Sequence, residues 1–202
     1  MSAESKYLPP DWAFTFHGHR CPFMPLGYRM GLLALEALGV NREADHTLHV
    51  ICELGEGHPQ TCLMDGIQAA TGATYGKTLM EKTSWGKLAA TFWYPGKTAV
   101  RYALRSSFLD DFGKHEFFAY RKRGVEPSAI PAGVTKQVLD WTLGLSDEAI
   151  YAVQQRPDFA YRPPKGSFNK SLCSKCGEYV FERYVRQQDG KPLCIPCSGY
   201  QR

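Results

Sequence analysis

Apolar residues near the N-terminus recur with the period of an α-helix. Residues 25–38 are predicted to form this helix, and Gly39 suits its C-terminal end. Gly27, Gly31 and Ala34 lie at helical spacing on one side of it. Such small residues let another backbone approach closely, either within the core or from a second subunit.

The following segments change between strand and helix patterns. Residues 47–53 alternate as a strand does, and residues 60–71 are predicted as a second helix. Residues 87–94 and 97–105 are rich in β-branched and aromatic side chains, and the Pro-Gly pair between them is typical of a type II turn, so they are expected to form a hairpin. Further helices are predicted at 107–120, 134–143 and 146–153. Helices together with an antiparallel hairpin indicate an α+β core domain.

A polar stretch with adjacent prolines divides the chain. Pro163 and Pro164 disfavour helix, so residues 156–169 are predicted to be a semi-rigid linker. Residues 1–155 then form the core domain, and residues 170–202 form a small C-terminal module. A length of 202 residues suits this division.

Four of the seven cysteines lie in the C-terminal module, in two C-x-x-C pairs separated by 17 residues. Each pair forms a tight knuckle, and two knuckles complete a tetrahedral zinc shell that leaves no position for water. A module this short needs such help to fold, so two unrelated redox pairs are the weaker alternative. The sequence around the second pair resembles treble-clef zinc fingers. The predicted ligands of this structural zinc are Cys173, Cys176, Cys194 and Cys197.

The predicted finger is basic and aromatic. Tyr179, Phe181, Tyr184 and Tyr200 have the chemistry to stack on nucleic-acid bases. The simpler interpretation, which the sequence favours, is that they form the small core of the module. The finger is therefore expected to bind a protein, to bind nucleic acid or to brace a dimer.

Composition and charge narrow the location more than the function. The net charge of +4 permits contact with nucleic acid but does not argue for it. No apolar run approaches the roughly 18 residues needed to span a bilayer, and residues 1–11 lack the pattern of a secretory signal. A cytoplasmic protein without membrane contact is expected, in which clustered cysteines bind metal or do chemistry.

His17, His19 and Cys21 occupy alternate positions just before the first predicted helix. In an extended segment their side chains point to the same side, which suits metal binding. The helix N-terminus and the neighbouring Arg20 favour the thiolate form of Cys21. Cys21 as nucleophile and His19 as acid–base group are therefore candidate catalytic residues.

Further candidates lie on and after the second predicted helix. Cys62 begins this helix, His58 lies just before it, and Asp65 and Gln68 lie on it. The glycine-rich run 71–77 ends in a lysine and has the composition to cradle an anion through backbone N–H groups, although it lacks P-loop spacing. Its alternative is a helix end and a turn with an exposed lysine.

Two motifs resemble those of the FmdE family, named for the E subunit of formylmethanofuran dehydrogenase. The first is His17-Gly-His19-Arg-Cys21-Pro22 with Leu26-Gly27-Tyr28-Arg29, and the second is Cys62-Leu-Met-Asp65-Gly66-Ile67-Gln68 with Thr71-Gly72-Ala73-Thr74-Tyr75-Gly76-Lys77. Phe23 stands where the family often has glycine, and Ala73 where it often has cysteine. The likeness covers residues 12–155.

The resemblance implies an α+β core and, for members with a finger, an intertwined homodimer. It implies a core site that could hold a second metal at His17, His19, Cys21 and Cys62, with Asp65, Gln68, Thr74 and Lys77 as ligand-binding residues around it. The molybdenum or tungsten cofactor of formylmethanofuran dehydrogenase belongs to other subunits. This chain has no pterin-binding domain and no iron–sulfur run.

Three functions remain open from the sequence. The favoured one is an accessory or regulatory metalloprotein whose core binds a metal or small ligand, with the finger contacting a partner or bracing the dimer. The second is an enzyme that uses Cys21 and His19. The third is a zinc-finger regulator that binds nucleic acid, with the core as its sensor.

Overall fold

The computed structural model describes residues 6–57 and 61–200. It contains two compact units, which we call the core unit (Met1–Tyr161) and the finger unit (Arg162–Arg202). The break between them lies within the predicted linker. Residues up to 161 belong to the core unit because the ring of Tyr161 packs on His49 and Trp93.

A five-stranded sheet lies at the centre of the core unit. Its strand order is β2-β1-β3-β4-β5, with β1 and β2 parallel and the other neighbours antiparallel. The predicted hairpin is confirmed as β3 and β4, and Lys97 N–H closes its turn on the Tyr94 carbonyl. The strands are β1 (His49–Cys52), β2 (Met80–Lys82), β3 (Ala89–Trp93), β4 (Ala99–Leu104) and β5 (Tyr151–Arg156).

Seven helices accompany this sheet among the described residues of the core unit. They are α1 (Asp11–His17), α2 (Phe23–Leu38), α3 (Cys62–Thr71), α4 (Ser106–Phe112), α5 (Glu116–Lys122), α6 (Ala132–Gly144) and α7 (Asp147–Ile150). Helices and an antiparallel hairpin confirm the α+β class. Across the described ranges, no helix combines the length and the apolar character needed to cross a membrane.

Helices α2 and α3 pack with their backbones in close contact. A Cβ atom on Gly27 would lie 1.9 Å from the Leu63 carbonyl oxygen, and one on Gly66 would lie 2.1 Å from the Met24 carbonyl oxygen. The small-residue strip of α2 therefore faces α3 within the core. This close approach brings the N-terminal ends of the two helices together.

The predicted helix at 146–153 is wrong in its second half. Ser146 caps α7 as expected, with its Oγ accepting from the Ala149 N–H, but the helix ends at Ile150. Residues 151–156 form β5 because all six of them pair with β4 at the edge of the sheet. The first residue of the predicted helix 60–71 and His58 lie outside the described residues.

The finger unit consists of two short hairpins and one turn of helix. Strands β6 (Lys170–Leu172) and β7 (Tyr179–Phe181) pair, as do β8 (Arg186–Gln188) and β9 (Lys191–Leu193). Helix α8 (Ile195–Ser198) follows the second hairpin. The order of knuckle, hairpin and helix is that of a treble clef.

Candidate metal centre

Three helix ends build the site in the core unit. His17 is the last residue of α1, Cys21 precedes α2, and Cys62 is the first residue of α3. Gly18 adopts a left-handed conformation with φ 96°, which a residue with a side chain rarely adopts, and so lets the chain turn between α1 and α2. The predicted extended segment 17–21 is therefore a helix end followed by a turn.

A carboxylate orients the imidazole of His17. Nδ1 of His17 lies 2.7 Å from Oδ2 of Asp65, and Gln68 Nε2 donates to the other carboxylate oxygen at 3.2 Å. This contact leaves Nε2, which is buried and makes no hydrogen bond to a nitrogen or oxygen atom. The Asp65 carboxylate, and after it the Cys62 sulfur, raises the pKa of His17 to about 9.

The two thiols of the site differ in charge. The Cys21 thiol, followed by the imidazole of His17, lowers the pKa of Cys62 to about 5. The pKa of Cys21 is raised well above its ordinary value, first by its interaction with Cys62 and then by burial. Backbone N–H groups at the start of α2 act in the opposite direction but do not prevail. The thiolate therefore resides on Cys62, although the sequence favoured it on Cys21.

The donor atoms of His17, Cys21 and Cys62 lie within 4.8 Å of one another. Around tetrahedral zinc, two thiolate sulfurs are about 3.8 Å apart and a sulfur and an imidazole nitrogen about 3.5 Å apart. A shift of about 1 Å thus brings these side chains to coordinating distance. Soft sulfur and imidazole donors with a carboxylate behind the histidine fit zinc or a similar transition metal.

His19 lies beside this group but outside it. Its ring centroid is 4.5 Å from that of His17, and its Nε2 is buried without a hydrogen bond. Burial, and after it the neighbouring His17, lowers the pKa of His19. A neutral imidazole in this position can accept a proton or contact a bound ligand. The roles predicted for His19, as metal ligand or acid–base group, remain predictions.

A cavity of about 640 Å³ opens beside the thiols. Cys21, Cys62 and His19 form part of its wall. Phe117 and Phe118 supply aromatic surface, and Arg121 supplies positive charge. A ligand in this cavity therefore contacts apolar rings on one side and the candidate metal centre on another.

The other predicted site residues make structural contacts. The Thr74 Oγ1 accepts from the Lys77 N–H, and the Lys77 ammonium donates to the carbonyl oxygens of Glu43 and Ala44. Neither residue lines the cavity beside the thiols. Arg20 pairs with Asp11 at 2.7 Å. Thr74 and Lys77 thus hold the loop after α3 in place, and their binding role remains a prediction.

The four cysteines of the finger unit form a second cluster. The sulfurs of Cys173, Cys176, Cys194 and Cys197 lie within 4.8 Å of one another. The Cys194 N–H donates to the Cys173 sulfur, and the Cys197 N–H donates to the Cys194 sulfur, each at 3.4 Å. Amides directed at sulfur are typical of zinc knuckles and stabilise thiolates. The cysteines are positioned for zinc binding, as predicted.

Comparison with known proteins agrees with both clusters. The model of the family described as "FmdE, Molybdenum formylmethanofuran dehydrogenase operon" matches residues 16–151, which include both predicted motifs. The chain belongs to the FmdE family. A second model, the prokaryotic dksA/traR C4-type zinc finger, matches residues 166–201 of this FmdE-family chain.

Two individual proteins resemble the chain along most of its length. One is the "Probable S-adenosyl-L-methionine-binding protein" of Archaeoglobus fulgidus, 32% identical over 205 residues that cover 93% of this chain and 51% of that protein. The chain thus spans about half the length of this curated relative. The other is the crystal structure of an FmdE-like protein of tungsten formylmethanofuran dehydrogenase type from Syntrophus aciditrophicus, with a TM-score of 0.59 and 20% identity. It covers 94% of this chain and 89% of its own, and it supports the fold.

Sequence reasoning missed the cavity wall. Phe117, Phe118 and Arg121 lie on α5, within a segment predicted only to be helical. No motif marks these residues, and their link to Cys21 spans about a hundred residues of sequence. The adjacent pair of phenylalanines close to a basic cluster was the only local signal.

Proposed function

We propose that this FmdE-family protein is an accessory or regulatory zinc protein whose core unit binds a second metal ion. The ligands are the Nε2 of His17 and the sulfurs of Cys21 and Cys62. The observation that carries the proposal is the convergence of these three donors within 4.8 Å, with Asp65 held against the far side of the imidazole. A carboxylate in that position fixes the ring and strengthens a histidine ligand.

Three protein ligands leave a fourth position for an exogenous group. A closed structural site uses four protein ligands, whereas three leave zinc able to bind water or a small molecule. The cavity of about 640 Å³ adjoins the two thiols and supplies the space for such a molecule. The core unit would then sense or carry a small ligand while the finger contacts a partner or braces a homodimer.

The number of zinc ions per chain tests the proposal. Elemental analysis of the purified full chain should find about two zinc ions for the wild type and about one for Cys62→Ser. Cys52→Ala is the matched control, because Cys52 is a buried thiol on β1 outside both clusters. This control should retain both ions.

The finger provides the internal reference. Cys176→Ser should lose the finger zinc and retain the core zinc. A wild-type protein with one zinc ion, all of it lost in Cys176→Ser, would leave the core without metal. The proposal for the core would then be wrong, and the finger would be unaffected.

The enzyme alternative moves from Cys21 to Cys62. A thiolate beside a protonated imidazole is the arrangement of a cysteine nucleophile, and the directions of the pKa shifts assign it to Cys62 and His17. The same two groups are the proposed metal ligands, so a bound ion blocks this chemistry. Metal occupancy therefore discriminates between the two functions.

A second candidate ligand for the cavity is S-adenosyl-L-methionine. Its support is the name of the Archaeoglobus relative together with the cavity lining. Phe117 and Phe118 suit packing with adenine, Arg121 suits the carboxylate, and Glu126 suits the ammonium or sulfonium group. The volume lies in the range of about 300–1,000 Å³ that small-molecule sites occupy.

Isothermal titration calorimetry with S-adenosyl-L-methionine tests this candidate on the zinc-loaded full chain. Binding is expected, and Phe118→Leu should weaken it about tenfold by removing ring contact. Phe168→Leu, at an exposed position in the finger unit, is the control and should bind as the wild type does. Absence of binding to the wild type would remove this ligand and leave the metal proposal standing.

A further inference from the structure

One face of the β6–β7 hairpin is apolar and exposed. Lys170 pairs with Phe181, and Leu172 pairs with Tyr179. Directly opposed residues, and residues two apart on one strand, share a face of a sheet, so these four side chains lie together. We call them the β6–β7 face. Leu172, Tyr179 and Phe181 are 52%, 64% and 54% exposed, so they do not form the core of the finger, as the sequence favoured.

The finger unit also carries the excess positive charge of the chain. Residues 162–202 contain eight Lys and Arg against three Asp and Glu, whereas residues 1–161 contain 16 against 17. The excess exceeds the two negative charges that a zinc ion with four thiolates contributes. The exposed apolar face therefore lies on a cationic unit attached to a nearly neutral one.

Cations lie directly over the aromatic rings of this unit. The Lys170 Nζ is 4.3 Å from the ring centroid of Tyr179, and the Arg186 guanidinium carbon is 4.6 Å from that of Tyr200. Both are cation–π distances. Each such pair presents a flat ring and a positive charge side by side, which are the two groups that recognise a nucleotide in a single strand.

We propose that the β6–β7 face binds single-stranded nucleic acid. Bases stack on Tyr179 and Phe181, and Lys170 pairs with the phosphates that connect them. Charge complementarity favours a polyanion over an apolar protein surface, because the face has a lysine at its centre and lies on a cationic unit.

A single strand fits better than a duplex. Exposed rings contact the flat faces of bases, which are hidden within a double helix. Reading a major groove requires an inserted helix or ribbon. The helix of the finger, within the part of the chain that the structure describes, is α8 with only four residues.

Fluorescence anisotropy with the zinc-loaded full chain tests the proposal. The probes are fluorescein-labelled oligo-dT and oligo-U of about 15 nucleotides, a length that spans one small site. Tyr179→Leu and Phe181→Leu keep apolar side chains but remove the stacking rings, and each should weaken binding about 5- to 100-fold. Lys170→Gln should reduce the slope of log affinity against log salt by about 0.7.

The matched control is Trp85→Leu. Trp85 is 63% exposed and has the Lys87 ammonium 6.0 Å from its ring, but it lies on the core unit. Loss of this ring should leave the affinity unchanged. Zinc content, measured for every variant, shows that the finger has folded.

Three results would overturn the proposal. The first is a wild-type protein that does not bind either oligonucleotide at low salt. The second is full affinity in both leucine variants, which would leave charge alone as the cause of binding. The third is leucine variants that change the oligomeric state in light scattering but not the affinity, which would assign the face to a second copy of the chain. None of these results affects the metal proposal for the core.

Discussion

The imidazole of His17 and the carboxylate of Asp65 lie 2.7 Å apart, although 48 positions separate them in the sequence. His17 ends one helix and Asp65 lies in the first turn of another. The contact exists because glycines let α2 and α3 approach closely and place the start of α3 beside the end of α1. It presents the remaining imidazole nitrogen to two thiols, which makes the group a candidate metal centre.

Asp65→Asn should weaken metal binding at the core about 10- to 100-fold, because an amide polarises the His17 ring less than a carboxylate does. Competition with a chromophoric chelator measures this affinity. Asp140→Asn, which removes an exposed carboxylate on α6, is the control and should have no effect. Equal core affinity in Asp65→Asn and the wild type would mean that the carboxylate does not support a metal ligand.

Cys62 should be the first thiol of the core unit to react with iodoacetamide in metal-free protein. Because its pKa is about 5, its reaction rate should already be near maximal at pH 6 and change little up to pH 8. Burial raises the pKa of Cys52 to about 12, so Cys52 should not react. Mass spectrometry of the alkylated peptides gives the order, and earlier modification of Cys21 would contradict the assignment of the thiolate.

Gly27→Ala should destabilise the core unit by about 1–3 kcal/mol or more, because its Cβ atom would lie 1.9 Å from the Leu63 carbonyl oxygen. Gly133→Ala on α6 is the matched control, since no atom lies within 4 Å of the added group. There the higher helix propensity of alanine should add up to about 1 kcal/mol. Urea unfolding measures both, and equal stabilities of the two variants would exclude close packing at Gly27.

Glu53→Gln should lower the stability of the core unit at pH 7 by about 2–3 kcal/mol, because it leaves Arg101 without its buried carboxylate partner. Arg101 lowers the pKa of Glu53 below its ordinary value of 4.5. The pair therefore contributes fully above about pH 4.5, and its contribution is lost as the pH falls through the lowered pKa.

Thermal unfolding between pH 7 and pH 3 measures this difference. The gap between the wild type and Glu53→Gln should narrow on acidification. Asp140→Asn, at the exposed ion pair with Lys136, should differ little from the wild type at any pH. A gap that stayed constant down to pH 3 would show that Glu53 does not titrate with an altered pKa.

Zinc removal should unfold the finger unit without unfolding the core unit. The finger has little buried apolar surface among its described residues, so the metal supplies its folding energy. Limited proteolysis after chelation should cleave between residues 162 and 200 and leave a resistant core fragment. A finger that stayed resistant without metal would contradict the role of its four cysteines.

Local patterns in the sequence were sufficient wherever neighbouring residues decide the structure. The Pro-Gly turn between β3 and β4, the Ser146 cap and the two C-x-x-C knuckles were all predicted, because each depends on the chemistry of a few consecutive residues. The FmdE motifs identified the family for the same reason, since their residue types and order are visible without coordinates.

Only the tertiary structure decided what depends on distances between remote elements. It moved the thiolate from Cys21 to Cys62 because burial and a neighbouring thiol outweigh the start of α2. It turned residues 151–156 into a strand because β4 offered an unpaired edge. It also left Tyr179 exposed, where the pattern favoured a buried ring. A sequence specifies side chains and short-range geometry, whereas burial and charge coupling arise only when the elements pack.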